Sequence, residues 1–113
     1  MKVFKKSSGD VKLEQAHNGA GCRKLFVAND EVKNIQGITH GFLNEGGIFE
    51  WHKHDDCNEF MYVLKGTGIV RDADGEYPFD VGDFFIFPVG VYHEQRNTGK
   101  ETFEAMFIRI KSQ

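Results

Sequence analysis

Apolar and polar residues alternate along most of this chain in short runs, and no stretch longer than about one helical turn repeats apolar residues at helical spacing. The pattern predicts strands. "KLFVAND" (24–30) is a first strand, "NIQGITHGFL" (34–43) a second, and "IFEWHKH" (48–54) returns after the turn "NEGG" at 44–47. "EFMYVLKG" (59–66) follows and ends at a glycine. Between residues 66 and 90, "DADGE" and "DVGD" divide the chain into further short strands. "VYHEQRN" (91–97) and "TFEAMFIRI" (102–110) are the last two, with "TGKE" turning between them. Strands at this spacing point to an antiparallel sandwich or barrel. Residues 1–24 are polar and interrupted by glycines, and are expected as an arm or edge segment. Residues 25–113 then form the barrel, with no internal repeat or linker.

Composition narrows the possibilities. A chain of 113 residues builds one domain with a real core. Thirteen glycines and eleven phenylalanines with only two prolines suit a small all-β protein with tight turns. Fourteen basic against seventeen acidic residues, without a long single-sign block, carry no footprint for nucleic acid. No apolar window reaches the length of a membrane span, and the lysines of "MKVFKKSSGD" precede no apolar stretch of a leader. Two cysteines, Cys22 and Cys57, do not make a disulfide framework. These features lead to the expectation of a reduced, cytoplasmic protein.

The histidines change the picture. His52 and His54 are two apart, so on a strand they share a face, with Glu50 and Ile48 behind them and Trp51 and Lys53 opposite. Glu59 lies at an odd offset from both, but the turn formers "DDCN" between allow the chain to fold back and reset its parity. Glu59, Met61 and Val63 then face the histidines. Two imidazoles and a carboxylate converging from neighbouring strands suit a first-row metal. The plainer reading is an exposed His-x-His pair beside a solvated glutamate. "GDFFIFPVGVYHEQRN" (82–97) adds His93 after a sharp Pro-Val-Gly corner that can deliver it inward from another strand.

At these residues the sequence resembles the cupin superfamily. Gly46, His52, His54, Glu59 and Gly66 meet the first motif of that family, G-x5-H-x-H-x(3,4)-E-x6-G. Gly82, Pro88, Gly90, His93 and Asn97 meet the second, G-x5-P-x-G-x2-H-x3-N, and no fixed position departs. The resemblance implies a double-stranded β-helix, or jelly-roll, barrel. It also implies one divalent metal held by His52, His54, Glu59 and His93. Nitrogen and oxygen donors without thiolate suit Fe, Mn, Ni, Co, Cu or Zn and do not choose among them.

Around this set several residues are weaker candidates. His40, in phase with Ile38 and Phe42, borders the cavity if that face points inward and is then a candidate proton donor. Glu50 has the parity of a second carboxylate at the site, and Gln95 shares a face with His93 and can orient a ligand. Asn97 is expected to brace the turn after its strand, and His17 to be exposed and without a role. Met61, Val63, Phe42 and Phe49 are expected along an apolar pocket wall, and alternate members of Phe84–Phe87 in the core. Cys57, between two ligands, reads as a partly buried loop thiol, and Cys22 as inert. The expected function is that of a metal-dependent enzyme of oxygenase, isomerase or lyase type on a small oxygen-rich or aromatic molecule. The alternative is a module that only binds a sugar or effector through the same metal, and a third reading makes the metal structural. Phe4, Phe26, Trp51 and Tyr62 exceed what so small a barrel can bury, so a homodimer is expected.

Overall fold

The structure, a computed structural model, describes residues 2–112. Ten strands follow one another with only two short 3-10 turns among them, Ser8–Asp10 and His17–Gly19. They are β1 (Leu13–Ala16), β2 (Gly21–Val27), β3 (Ile35–Leu43), β4 (Ile48–His52), β5 (Cys57–Lys65), β6 (Gly68–Asp72), β7 (Gly75–Phe79), β8 (Phe84–Phe87), β9 (His93–Asn97) and β10 (Phe103–Lys111). Two sheets form, a six-stranded one in the order β1-β2-β3-β10-β5-β8 and a four-stranded one in the order β4-β9-β6-β7. Every pairing is antiparallel. Consecutive strands repeatedly cross from one sheet to the other, which is the jelly-roll arrangement that the resemblance implies.

Alternation sets the two faces of the larger sheet. Cross-strand register aligns Thr39, Phe107, Met61 and Phe85 in one inward row, and Gly37, Arg109, Glu59 and Phe87 in the next. The core is aromatic and aliphatic, with Phe103, Leu43, Met61 and Val63 fully buried and Phe49, Phe79 and Phe87 nearly so. Phe85 and Phe87 point in while Phe84 and Ile86 are more than half exposed, so the phenylalanine strand divides as expected. Phe42 is a correction. It lies on the outer face, stacked on His40 at 4.2 Å between ring centroids, and lines no pocket wall.

The stretch expected as an arm or edge contributes β1, an edge strand paired with β2, and most of β2 itself, which pairs with β3. Its apolar residues are too few to announce strands, because here backbone pairing rather than a buried face holds the segment in place. Asn97 does more than brace one turn. Its amide donates to the carbonyls of Leu43, Asn44 and Glu101 and its oxygen accepts from Gly99, which ties three segments at one end of the barrel.

Candidate metal centre

His52 ends β4, His54 sits in the loop after it, Glu59 is on β5 and His93 opens β9. One potential ligand atom from each lies within 4.8 Å of the others. Two donors bonded to one ion at about 2.1 Å stand at most about 4.2 Å apart, so the set need draw in by only about half an ångström. These four side chains can hold a metal ion.

Local structure aims each ring. The His52 Nδ1–H donates to the Glu50 carbonyl at 2.5 Å and the His93 Nδ1–H to the Val91 carbonyl at 3.1 Å. With Nδ1 protonated, the free lone pair of each ring is on Nε2, the arrangement that metal-binding histidines use. His93 Nε2 is buried with no hydrogen-bond partner among the described residues, and it stands 3.4 Å from Glu59 Oε1. The His54 Nε2 is 3.3 Å from the same oxygen. A lone pair facing a carboxylate at that distance is repulsive unless a cation, metal or proton, lies between them. Phe87 stacks on His93 at 4.1 Å and fixes its plane. The corner before His93 is fixed too. Gly90 takes a positive φ of 80° that other residues resist, and its N–H donates to the His54 carbonyl at 2.7 Å, joining the two halves of the site.

Burial alone would raise the Glu59 carboxyl. Hydrogen bonds that His54 and His93 donate when a proton sits on Nε2, with the nearby Arg109 charge, outweigh it and hold the group at about 2. Burial lowers His52 below the ordinary histidine range, only partly offset by its bond to the Glu50 carbonyl, which keeps the ring neutral and ready to coordinate.

A β-bulge corrects the simple parity of β4. Phe49 pairs with Gln95 and His52 with His93, so three residues of β4 span two of β9. Phe49 and His52 both face inward as a result, while Glu50 and Trp51 are exposed. Glu50 therefore serves the site through its carbonyl, and its carboxylate does not flank the ligands. Trp51 stacks outside on Tyr92 at 5.9 Å, with Arg71 over its other side. His40 faces outward from β3, where its ring meets Glu104 at 2.9 Å, so it does not border the cavity.

A cavity of about 70 Å³ opens beside His52 and Glu59, lined among others by His17, Arg23, Thr39, Gln95 and Arg109. Gln95 is buried there as its shared face with His93 requires, and its Oε1 has no partner among the described residues. Arg109 reaches Glu59 Oε2 at 3.5 Å while donating to Gln36 and Thr39. Its inward position was open to a reading of "TFEAMFIRI", where Phe103, Ala105, Phe107 and Arg109 are in phase. His17 is exposed but not without surroundings. In a left-handed turn between β1 and β2 it lays its ring 4.0 Å from Phe49 and 6.3 Å from His52, and nothing local in the sequence signals this. Burial lowers its pKa, with the neighbouring His52 acting the same way. Cys57 is fully buried and its thiol is pushed up to about 11, chiefly by that burial, so it is unreactive near neutrality. Both cysteines are free thiols.

A family model described as "Cupin domain" matches residues 39–109, more than half of the chain and all four candidate ligands. The chain belongs to the cupin family. Germin-like protein 5-1 of Oryza sativa subsp. japonica is 36% identical over 100 residues, covering 84% of this cupin and 43% of the rice protein. An oxalate-binding protein of Thermotoga maritima is 31% identical over 68 residues, covering 60% of this chain and 56% of its own. This cupin spans less than half the length of the germin-like relatives it matches. Among solved structures, a predicted oxalate decarboxylase from Thermotoga maritima superposes with a TM-score of 0.88 at 22% identity, covering 96% of this chain and all of the other. A sugar phosphate isomerase from Silicibacter pomeroyi superposes at 0.83 and 16% identity, over 96% of this chain and 76% of the other. At such identities the superpositions establish the shared fold. No helix among the described residues is long and apolar enough to cross a membrane.

Proposed function

We propose that this cupin binds one divalent transition metal through His52, His54, Glu59 and His93 and acts as a metal-dependent enzyme on a small, oxygen-rich molecule. The observation that carries the reading is the His93 Nε2, buried and unpartnered with its lone pair aimed at the point where the other three converge. A bound metal would supply a Lewis acid with open positions for substrate oxygen. The chain itself does the rest. Strand ends and the loop after β4 hold the imidazoles in place, Arg109 steadies the far oxygen of Glu59, and Phe49, Phe107 and Phe87 keep bulk water from the inner wall. The cavity is bordered by arginine, glutamine and threonine, which favours an oxygen-rich ligand over a plain aromatic ring. The relatives described as oxalate-binding and as a predicted oxalate decarboxylase make oxalate a sensible first molecule to offer.

The test joins metal analysis to turnover. Protein purified without chelator should hold close to one transition-metal ion per chain, and His52→Ala should hold little. Oxygen uptake and carbon dioxide release over a panel of small acids then separate oxidation from decarboxylation. Metal content unchanged by the substitution would refute the ligand assignment. A second reading, a binding module, is favoured by the relative described as oxalate-binding and predicts tight ligand binding with no turnover.

Assembly enters the same proposal. The outer face of the six-stranded sheet aligns Ile38, Ile108, Phe60 and Ile86 in one row and His40, Met106, Tyr62 and Phe84 in the next. Two apolar rows across four strands favour burial against a second copy as a two-fold homodimer.

A further inference from the structure

The cavity beside the candidate centre carries more positive charge than four ligands and a divalent ion require. Arg23 and Arg109 both line it, and Glu59 is the only carboxylate among its lining residues. With a dipositive ion bound, two guanidiniums and the ion face one lining carboxylate, with Glu14 beside Arg23 only at the exposed rim, an excess that favours an anionic occupant.

We propose that the part of this cavity away from the four ligands is a subsite for the second anionic group of a small acid, held by Arg23 and Arg109 while the first group faces the metal. The proposal rests on the metal reading above and adds the class of ligand. Arg109 is built for such a task. Its Nε donates to Gln36 Oε1 at 2.6 Å, its Nη2 to Thr39 Oγ1 at 2.9 Å, and its Nη1 stands 3.5 Å from Glu59 Oε2. A guanidinium has about five N–H donors, so about two remain for a ligand on a side chain whose orientation is already fixed. Gly37, its cross-strand neighbour, leaves room where a methyl group would collide with the guanidinium. Arg23 lines the cavity from β2 opposite Gly41, where the absence of a side chain makes room for the Phe107 ring of the same wall. Its only ion-pair partner among the described residues is Glu14 at 3.6 Å, at a rim where both side chains are about two-fifths exposed. Such a pair is weak and yields readily to a better-placed anion.

Gln95 gives an independent sign that the cavity is made to be occupied. Its Oε1 is buried in the cavity wall without a partner, an acceptor that an O–H of the ligand or a water beside it would satisfy. The enclosed part of the cavity, about 70 Å³, has room for on the order of a few waters, which suits one carboxylate end of a small acid.

The experiment titrates metal-loaded protein by calorimetry with acids bearing one carboxylate, acetate and propionate, and two, succinate and glutarate. Oxalate and malonate are left out because both carboxylates of either can chelate one ion and bypass the arginines. The wild type should bind at least one diacid tenfold or more tighter than either monoacid. Arg23→Gln, at the exposed rim where folding is not at stake, should erase that advantage while metal content and monoacid affinity stay as they were. Equal affinity for the two series in metal-loaded wild type, or an advantage that survives Arg23→Gln, would overturn the subsite alone. Protein that takes up no metal would overturn the metal reading and this one with it.

Discussion

The two sheets that face each other across the cavity bring different chemistry to it. The six-stranded sheet contributes charge: Glu59 on β5, Arg109 on β10 and Arg23 on β2. The four-stranded sheet contributes groups that are neutral when they bind, His52 and Gln95 to the cavity and His93 to the cluster beside it. On the larger sheet Glu59 and Arg109 are paired across strands, and Arg109 is further held by Gln36 and Thr39. The smaller sheet is left wanting, with His93 Nε2 and Gln95 Oε1 both buried and unpartnered. One wall has its carboxylate paired from within, with cationic N–H groups to spare, and the other has buried polar atoms that only something between the walls can satisfy. That division would let the site stay formed while a metal and a ligand come and go.

His93→Ala should break the incomplete wall with the largest effect on metal. Losing a ligand should cost more than the roughly 10- to 100-fold typical of an outer-shell change, so about 100-fold or more in affinity is expected. In chelated protein the same substitution should be mild for a buried aromatic truncation, below the usual ~3–5 kcal/mol, because it also removes an unmet buried nitrogen. Mass spectrometry of the metal and chemical denaturation of the chelated protein measure the two effects. A large loss of stability with metal retained would reverse the assignment of roles.

Glu59→Gln attacks the paired wall and should show its effect without metal. Removing the carboxylate leaves Arg109 partly buried beside a neutral amide, at a cost of about 3 kcal/mol. The pH dependence has a definite sign. The folded carboxyl titrates at about 2, well below its ordinary 4.5, so its contribution is whole above the ordinary value and is lost as pH falls toward the folded one. That contribution is on the order of 3 kcal/mol. Chelated wild type should therefore lose stability between about pH 5 and pH 2 more steeply than chelated Glu59→Gln. Parallel curves for the two proteins would show that Glu59 draws no stability from the pairs described here.

How much of this could be read from the residues alone differs between the walls for the same physical reason. The clustering of the four candidate ligands was legible because turn glycines, a proline corner and histidines at fixed intervals leave a local record in the chain. The strands of residues 34–110 were legible through their alternation. The pairing of β1 with β2 was not, for its residues alternate too weakly to mark a buried face. Nor was the bulge at Glu50 and Trp51, since an extra residue in a strand carries no compositional mark and shows only against the partner strand. It turned the side chain of Glu50 outward and brought Phe49 in. Arg23 and His17 reach the cavity from a segment whose place in the fold had no signal, and the Arg109 contacts join positions 36, 39, 59 and 109, too far apart in the chain for any motif to record.

The bulge also supplies the smallest expected effect. If Glu50 acts only through its main chain, Glu50→Gln should leave metal content unchanged and shift stability by less than about 0.5 kcal/mol, as for an exposed residue without structural partners. The carbonyl that receives the His52 Nδ1–H survives the substitution, so the Nε2 lone pair still points at the centre. An acid or base at this position would instead show itself as a lost limb in the pH profile of turnover, with metal still bound. Such a loss would place the Glu50 carboxylate at the site after all. The four-stranded wall would then carry a charge of its own, and the contrast between the two sheets would have to be redrawn.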